Sequence, residues 1–550
     1  YHSPRRPFAV AMSSAMLTTA TWVSLLLSAE ALGGAVANPP NILFLLADQH
    51  RDDALNPTLT PNLDRLAKHG ARFTRHYTST PTCTPARSAI LTGRSPWRHG
   101  MLGYGEMAPK YPRELPERMV ELGYSAVVIG KNHYGWNQSQ PRARGFQEHE
   151  IYDGLGTGLE QPYFDSYDDW FQHQKPGHNP LETGGLNWNT WRGAPYAYKE
   201  DLHPTAWTGR LAKDALRRLA SAREAFFLKV SFHRPHSPYD PPERLLNTTK
   251  APAAQPAVSK DGWDAHFATC TSRALPDRWC GKADDDELDL TRRAYSASVR
   301  FVDEQIGELL ATLEQTGASK NTFVLYSSDH GDMQMDHFLW RKGYPYEASA
   351  HIPLVMSWPT SMESTFRLPR GSSVSSVTEL RDFFPTFLDL AGHWDESQAG
   401  DFDGRPLTEL LRATQGDSTQ WRQWIDLEHT VEYSPEVHWS ALTDGRVKYI
   451  FLAQHAKEQL FNLTADPDET TDLSKNSRFS SELLLWRGRL VAQFEHEGRG
   501  TGWLKNGTLV PRGPCNYSPN FPERVVDCIV VPGSSSGAPH VHSGVEMVYT

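Results

Sequence analysis

Cysteine is scarce, five in 550 residues. That is too few for a disulfide scaffold, and an odd number leaves one thiol over even if the rest pair. Concentrated basic runs are also missing. The formal charge is −10, from 55 basic and 65 acidic side chains, and duplex binding needs a basic face that releases counterions, so a general nucleic-acid binder is excluded. With 39% hydrophobic and 22% charged residues, the chain is neither disordered nor a polytopic membrane protein in composition. No internal repeat is present. Aromatic residues are plentiful, 17 Trp, 20 Tyr and 23 Phe, and most of them are read as core filling. The length accommodates one large domain and a smaller one.

The N-terminus reads as an export signal. Arg5 and Arg6 precede an uncharged stretch to Ala29 that contains Trp22-Val23-Ser24-Leu25-Leu26-Leu27, and Ala35-Val36-Ala37 supplies a small-x-small cleavage pattern. Residues 1–37 are therefore expected to be a leader, in preference to an uncleaved anchor, which the stretch is long enough to form. Sequons at Asn137, Asn247, Asn462, Asn506 and Asn516 agree with a secreted or lysosome-like destination.

Beyond the leader, apolar runs alternate with helical patterns, the rhythm of an α/β domain on a mostly parallel sheet. Residues 41–47, 124–129, 226–232, 322–327 and 352–357 read as strands covered on both faces. Helices are expected over 62–69, 85–92 and 295–316, ended by Gly70, Gly93 and Gly317. Segments 138–205 and 233–285 lack a clear period and read as long loops that shape a pocket. Residues 38–415 form the expected main domain. A smaller α+β unit over 416–510 has antiparallel strands near 439–443, 448–452 and 460–463 and a helix over 481–497. A Pro/Gly/Ser-rich tail, 511–550, follows. Pairing Cys270 with Cys280 and Cys515 with Cys528 leaves Cys83 as the odd thiol.

Chemistry collects at the strand ends. One strand runs into Asp48-Gln49-His50 and another into Ser328-Asp329-His330-Gly331-Asp332, which puts acids on the rim where open α/β sheets bind ligands. Lys131 and His133 follow a third strand, and His233, Arg234 and His236 a fourth. A single acid after a strand is commonly a helix cap, but four loaded strand ends need a site to explain them. Asp48, Asp329 and the carbonyl oxygen of Gln49 are hard donors suited to Ca²⁺ or Mg²⁺. His330 admits Mn²⁺ or another transition metal.

Cys83-Thr84-Pro85-Ala86-Arg87 stands at a helix start, where backbone N–H groups favour an anion. Cys-x-Pro-x-Arg is the signature that a formylglycine-generating enzyme reads. With NILFLLADQ, TPNLDRLAKHGARF, GKNHYG, FFLKVSFHRPHSPYDPP, SSDHGD and LWRKGYPYEASAHIPL in order along residues 40–500, the chain resembles the type I sulfatases of the alkaline phosphatase-like superfamily. YEASAHIPL is similar to arylsulfatase K-type members, some of which act on uronic acid sulfates.

The resemblance implies that Cys83 is oxidised to formylglycine, whose hydrate offers two hydroxyls on one carbon. One attacks sulfur and expels the alcohol; deprotonation of the other expels sulfate and restores the aldehyde. It further implies that Arg87 steadies the hydrate, that Asp48, Gln49, Asp329, His330 and residue 83 hold the metal, and that Lys131 and Lys342 neutralise the sulfate. His133 is the expected base for elimination and His236, beside Lys342, the expected acid for the leaving oxygen. The substrate is then a sulfated sugar or an aryl sulfate.

Gln49 and His330 depart from the commonest family pattern of a second acid and an amide. A DQ…DH arrangement also occurs in relatives that cleave phosphonate monoesters and phosphodiesters, which makes that activity the alternative. A catalytically silent glycan-binding protein with an unmodified Cys83 is a third reading, against which the intact set of site residues speaks. His351, where many members carry Arg, is expected on the substrate rim.

Overall fold

The computed structural model describes residues 39–522, apart from 136–142, 155–164, 181–183, 187–189, 271–277, 414–419, 431–432 and 434–437. The expected leader, Asn137, Cys528 and most of the expected tail lie outside the described residues.

Strand β1 (Asn41–Asp48) is apolar from Ile42 to Ala47 because both of its faces are covered. Ile42, Phe44 and Leu46 enter one core, and Leu43, Leu45 and Ala47 the other. The same sheet contains β2 (Gly70–Phe73), β3 (Ser125–Gly130), β4 (Glu148–Ile151), β5 (Phe226–Pro235), β6 (Thr322–Ser328), β7 (Leu354–Ser357) and β8 (Ser372–Val374). Their order is β4-β3-β5-β1-β6-β7-β2-β8. Strand β7 runs antiparallel to β6 and β2, and the other neighbours are parallel.

Helices α1 (Pro61–Lys68), α2 (Cys83–Thr92), α3 (Pro204–Ala220), α4 (Asp285–Gln315) and α5 (Phe383–Leu390) divide between the two faces. Leu63, Leu216, Ile306 and Leu309, from α1, α3 and α4, join the core beneath Leu43 and Leu45. Ile90 of α2 and Phe383 and Phe387 of α5 pack on the opposite side with Phe44. A second, antiparallel sheet is made by β9 (Ile425–His429), β10 (Trp439–Thr443), β11 (Val447–Leu452) and β12 (Lys457–Asn462), followed by α6 (Ser480–His496). Tyr449, Phe451 and Leu460 pack on Trp486, Leu490 and Phe494 of α6. Trp439, Ile450 and Phe461 share a core with Met333 and Tyr344, beside the strand-end loops of the main sheet.

The five expected strands are all present, with the last beginning at Leu354. Three short strands carry no sequence signal. β2 and β8 have four and three residues, and β4, Glu-His-Glu-Ile, is an edge strand exposed at its first three positions. The segment expected to be loop over 138–205 thus contains β4 and a helix, Ser166–Gln174. α4 begins ten residues before the expected Tyr295, because Asp284 caps it by accepting from the Glu287 N–H at 2.8 Å. Its first turn is acidic, which suits the helix dipole but breaks the apolar stripe. Gly70, expected to end α1, opens β2 instead. Cys270 and Cys280 are disulfide-bonded, Cys515 is disulfide-bonded as well, and Cys83 is a free, buried thiol.

Phe44 is fully buried, and its ring lies 5.6 Å from that of Phe383 and 5.4 Å from that of Phe387. Phe44→Ala is expected to cost about 3–5 kcal/mol of stability, read as a lower denaturant midpoint. A midpoint unchanged from wild type would show that this layer does not carry the fold.

Candidate active site

Strands β1 and β6 run in parallel register, with Ala47 opposite Ser328. The residues that follow, Asp48 and Asp329, therefore emerge side by side, and the Asp329 N–H donates to the Ala47 carbonyl at 3.3 Å. Against β5 the register shifts between Ala47 and Asp48, which turns Asp48 out of the pleat. Gln49 then takes a left-handed conformation, φ 73°, and its N–H donates to Asp329 Oδ1 at 3.2 Å. Cys83 is the first residue of α2 and Arg87 stands one turn later on the same face. All of α2 is buried, and Gly93 closes it with φ 66°.

These elements converge on one cluster. Cys83 Sγ lies 3.3 Å from His330 Nε2, 3.0 Å from Lys342 Nζ, 3.9 Å from Lys131 Nζ and 4.0 Å from Asp48 Oδ1. Asp48, Cys83, Asp329 and His330 are buried and offer one ligand atom each, all within 4.8 Å of one another. Arg87, on the helix, donates Nε to Asp329 Oδ2 at 2.9 Å and Nη2 to Asp48 Oδ2 at 3.2 Å. Its Nη1 reaches the Lys131 carbonyl at 2.9 Å and Ser231 Oγ at 3.2 Å. Lys131 Nζ also pairs with Asp48 Oδ2, at 2.7 Å. Both Oδ2 atoms are thus occupied by cations, while both Oδ1 atoms face His330 Nε2, at 3.5 and 3.7 Å.

The electrostatics follow from this crowding. Burial alone would raise the Asp48 carboxyl, but Lys131, with His236, His330 and Lys342, holds it well below its ordinary value. Burial and Asp48 push the Cys83 thiol up, and Lys131, Lys342 and His330 overcome them, so it falls below its ordinary value. Burial, together with nearby cations, drives His133, His233 and His236 well down, so their rings are neutral near pH 7. His236 Nδ1 meets the Ser237 carbonyl at 2.7 Å and Nε2 meets Lys342 Nζ at 3.0 Å. The carbonyl requires the proton on Nδ1, so Nε2 accepts from the lysine.

The residues singled out from sequence fall into three groups. Asp48, Cys83, Asp329, His330, Arg87, Lys131, Lys342 and His236 meet directly, as described. His133 sits at the rim, its N–H held at 2.8 Å by Asp153 Oδ1 and its ring 6.3 Å from that of Tyr104. Gln49 spends its amide N–H groups on Asp332 (2.6 Å) and the Tyr239 hydroxyl (3.4 Å), and its side-chain oxygen takes part in neither bond. Arg87 and His351 have defined partners. The Arg87 guanidinium is occupied by Asp48, Asp329, the Lys131 carbonyl and Ser231, so it braces the two carboxylates. His351 stands among carboxylates, its ring stacked 4.9 Å from Tyr77 and Nδ1 2.9 Å from Glu347, with Asp52 at 3.8 Å.

Sequence reasoning passed over several supporting residues. Asp332 closes the DHGD motif and anchors Gln49. Ser231 and Asp153 hold the guanidinium and the 132–133 backbone. Lys229 is fully buried and donates to Asn132 Oδ1 at 3.0 Å and to the Tyr134 hydroxyl at 3.2 Å, so it ties β5 to the loop of Lys131 and His133. A lysine inside the apolar run FFLKVSF was its available signal. Gly130 precedes Lys131 with φ 93°, and a Cβ there would strike the Ser231 carbonyl.

The sulfatase family model matches residues 40–393, and the N-sulphoglucosamine sulphohydrolase C-terminal model matches 335–491. The chain belongs to the sulfatase family. It is 32% identical to an arylsulfatase of Clostridium perfringens, over 86% of this chain and 98% of that protein. To an N-acetylglucosamine-6-O-sulfatase of Bacteroides thetaiotaomicron it is 26% identical, over 84% and 88%. The fold is similar to that of a phosphonate monoester hydrolase from Silicibacter pomeroyi, with a TM-score of 0.68 at 23% identity, covering 83% of this chain and 96% of that one. This sulfatase therefore carries a large, mostly parallel α/β sheet with an antiparallel sheet beside its strand-end loops.

Burial pulls the His351 ring down, but Asp52 and Glu347 raise it from 6.5 to about 9. A raised folded value means that this stabilisation is complete below pH 6.5 and is lost as pH rises through about 9. Denaturant midpoints of wild type are expected to fall across that window, and His351→Asn to lack that component. Parallel pH profiles for the two proteins would refute the ion-paired assignment.

Proposed function

We propose that this sulfatase hydrolyses its ester at residue 83 after conversion of Cys83 to formylglycine, with Asp48, Asp329, His330 and the Gln49 oxygen holding a divalent cation. The observation that carries this reading is the convergence of Cys83, two carboxylates, His330, Lys131 and Lys342 within one buried cluster. The donor set fits a cation: Asp48 Oδ1 and Asp329 Oδ1 face inward while their Oδ2 atoms are paired. His330 Nδ1 is tied to the Gly331 carbonyl at 2.9 Å, which puts its proton there and frees Nε2 as a ligand. Oxygen donors favour Ca²⁺, with Mg²⁺ or Mn²⁺ also compatible. A cation bound there would polarise the sulfuryl oxygens, and hydrated formylglycine would supply the attacking hydroxyl.

The remaining chemistry belongs to the chain. Lys131 and Lys342 converge on residue 83 and neutralise charge as it grows on the sulfate oxygens. Arg87 pairs with both carboxylates and keeps them aligned. Lys342 and His236 share one proton path: the ring is neutral at rest, so the ammonium supplies the proton that the pair delivers to the leaving alcohol. His133, neutral and within electrostatic reach of Lys131 and Asp48, is the base that takes the second hydroxyl proton. Cys83 is 1% exposed, so a formylglycine-generating enzyme must reach CTPAR before α2 is packed.

The substrate class is a sulfated carbohydrate or an aryl sulfate. The same residues suit a phosphonate monoester, a reading that Gln49 and His330 favour, and comparing sulfate and phosphonate esters at one metal concentration separates the two. Export is supported by the 1–37 leader pattern and by exposed sequons at Asn247 and Asn506. Asn516 is a poorer acceptor, since its amide donates to the Tyr104 carbonyl at 3.1 Å. Among the described residues no helix is long and apolar enough to cross a membrane.

Mass spectrometry of the peptide containing residue 83 is expected to show the aldehyde in active protein, and Cys83→Ala to fold without turnover. Full activity in protein carrying only the thiol would end the nucleophile assignment. His236→Ala is expected to lower turnover of a sugar sulfate by about 10²–10⁴-fold, and that of a nitrophenyl sulfate far less, since the phenol leaves without protonation. Equal losses, with sulfur–oxygen cleavage limiting both, would leave His236 a binding residue.

A further inference from the structure

Tyr295 of α4 links the Gln49 loop to a second cavity. Its hydroxyl donates to the Gln49 carbonyl at 2.8 Å and accepts from the Arg51 N–H at 3.0 Å. The cavity has a volume of about 710 Å³ and shares no lining residue with the Cys83 cluster. That volume lies within the range of about 300–1,000 Å³ typical of small-molecule sites. Its walls are the loop after β1, the Arg292–Arg300 face of α4, and the strap over residues 248–254, with Gln334 among its lining residues.

The lining is short of anions. Arg51, Lys250, Arg292 and Arg300 contribute to it, and Asp53 is the one carboxylate. Arg51 already grips Asp53 through Nε and Nη2, at 2.8 and 2.7 Å. Arg292 is 8% exposed; one Nη reaches the Ala254 carbonyl at 2.7 Å, while Nε has no hydrogen-bond partner among the described residues. Arg300 donates to the hydroxyls of Thr248 and Thr249, at 3.4 and 2.9 Å. Among the described residues no carboxylate lies within ion-pairing distance of Arg292, Arg300 or Lys250.

Gln334 adds an independent observation. It is 2% exposed, has a left-handed backbone with φ 47°, and among the described residues neither atom of its side-chain amide has a hydrogen-bond partner. A buried amide and a buried guanidinium with unused N–H groups are costly unless a ligand completes them. Guanidinium groups are suited to sulfate and carboxylate oxygens. A bare ion would leave most of 710 Å³ unfilled, so the ligand is larger than its anionic group.

We propose that this cavity is a second binding site, for a sulfated saccharide, in which Arg292 and Arg300 hold a sulfate group and Gln334 hydrogen-bonds the sugar. It extends the protein's interaction with sulfated ligands beyond the residues that hydrolyse them. The assignment does not depend on turnover at residue 83.

Calorimetric titration of the Cys83→Ala protein, which does not consume the ligand, with a sulfated heparin disaccharide tests it. Two binding events per chain are expected, the second about tenfold or more weaker after Arg292→Gln or Arg300→Gln, and absent with the unsulfated disaccharide. Arg300 is half-buried, so Arg300→Gln keeps the test available if Arg292→Gln does not fold. In protein with Cys83 intact, Arg300→Gln is expected to leave nitrophenyl sulfate turnover within about twofold. Binding that both variants leave unchanged, whether in one event or in two, would overturn the site. Sodium sulfate binding there as tightly as the disaccharide would overturn the saccharide assignment. Loss of the first event with retention of the second would count against the Cys83 site alone.

Discussion

Two carboxylates on adjacent strands would repel each other in a buried site, and Arg87 is what permits Asp48 and Asp329 to share one. Its guanidinium bridges their Oδ2 atoms, and Lys131 takes a second contact on Asp48. Removing one member of a buried ion network typically costs about 3–5 kcal/mol, because the partner is left charged and dry. The bridge therefore serves geometry as well as stability. It fixes which oxygen of each acid is occupied and so which faces Cys83 and His330. Helix α2 delivers both Cys83 and Arg87, one turn apart, which makes the thiol and the brace parts of one rigid element.

Around that bridge the site is strongly cationic. Lys131 and Lys342 approach Cys83; burial lowers His330, but Asp329 and Cys83 raise it from 6.5 to about 9, whereas His133, His233 and His236 are held neutral. Such a site is prepared for an anion and for proton movement through a neutral imidazole. The antiparallel sheet takes part in this arrangement. Trp439 Nε1 donates to the Gly343 carbonyl at 3.0 Å, and the Gly343 N–H donates to the Pro81 carbonyl at 2.9 Å. The residue after Lys342 is thus clamped between β10 and the approach to α2, which joins two distant parts of the chain beside Cys83.

Much of this was legible from sequence where one local pattern carries the signal. A strand covered on both faces must be apolar throughout, so β1, β3, β5 and β6 are visible as runs, and parallel strands must discharge their ends on one rim. CTPAR at a helix start, DQ after one strand and DH after another are local motifs whose chemistry can be read without coordinates. Strands β2, β4 and β8 were not legible, because two are too short to show a period and the third is a polar edge.

Sequence by itself determined the composition of the site: which acids, lysines, histidines and cysteine reach the rim, and the family to which they are similar. Only tertiary structure decided their partners. Arg87 turned to the carboxylates because the β1–β6 register brought two charges together beneath it. Gln49 was oriented by Asp332 and Tyr239, His351 was drawn among Glu347 and Asp52, and Gln334 was left buried without a partner. Hydrogen-bond and ion partners are chosen by distance in space, and here many are separated by more than two hundred residues of chain, beyond the reach of any local pattern.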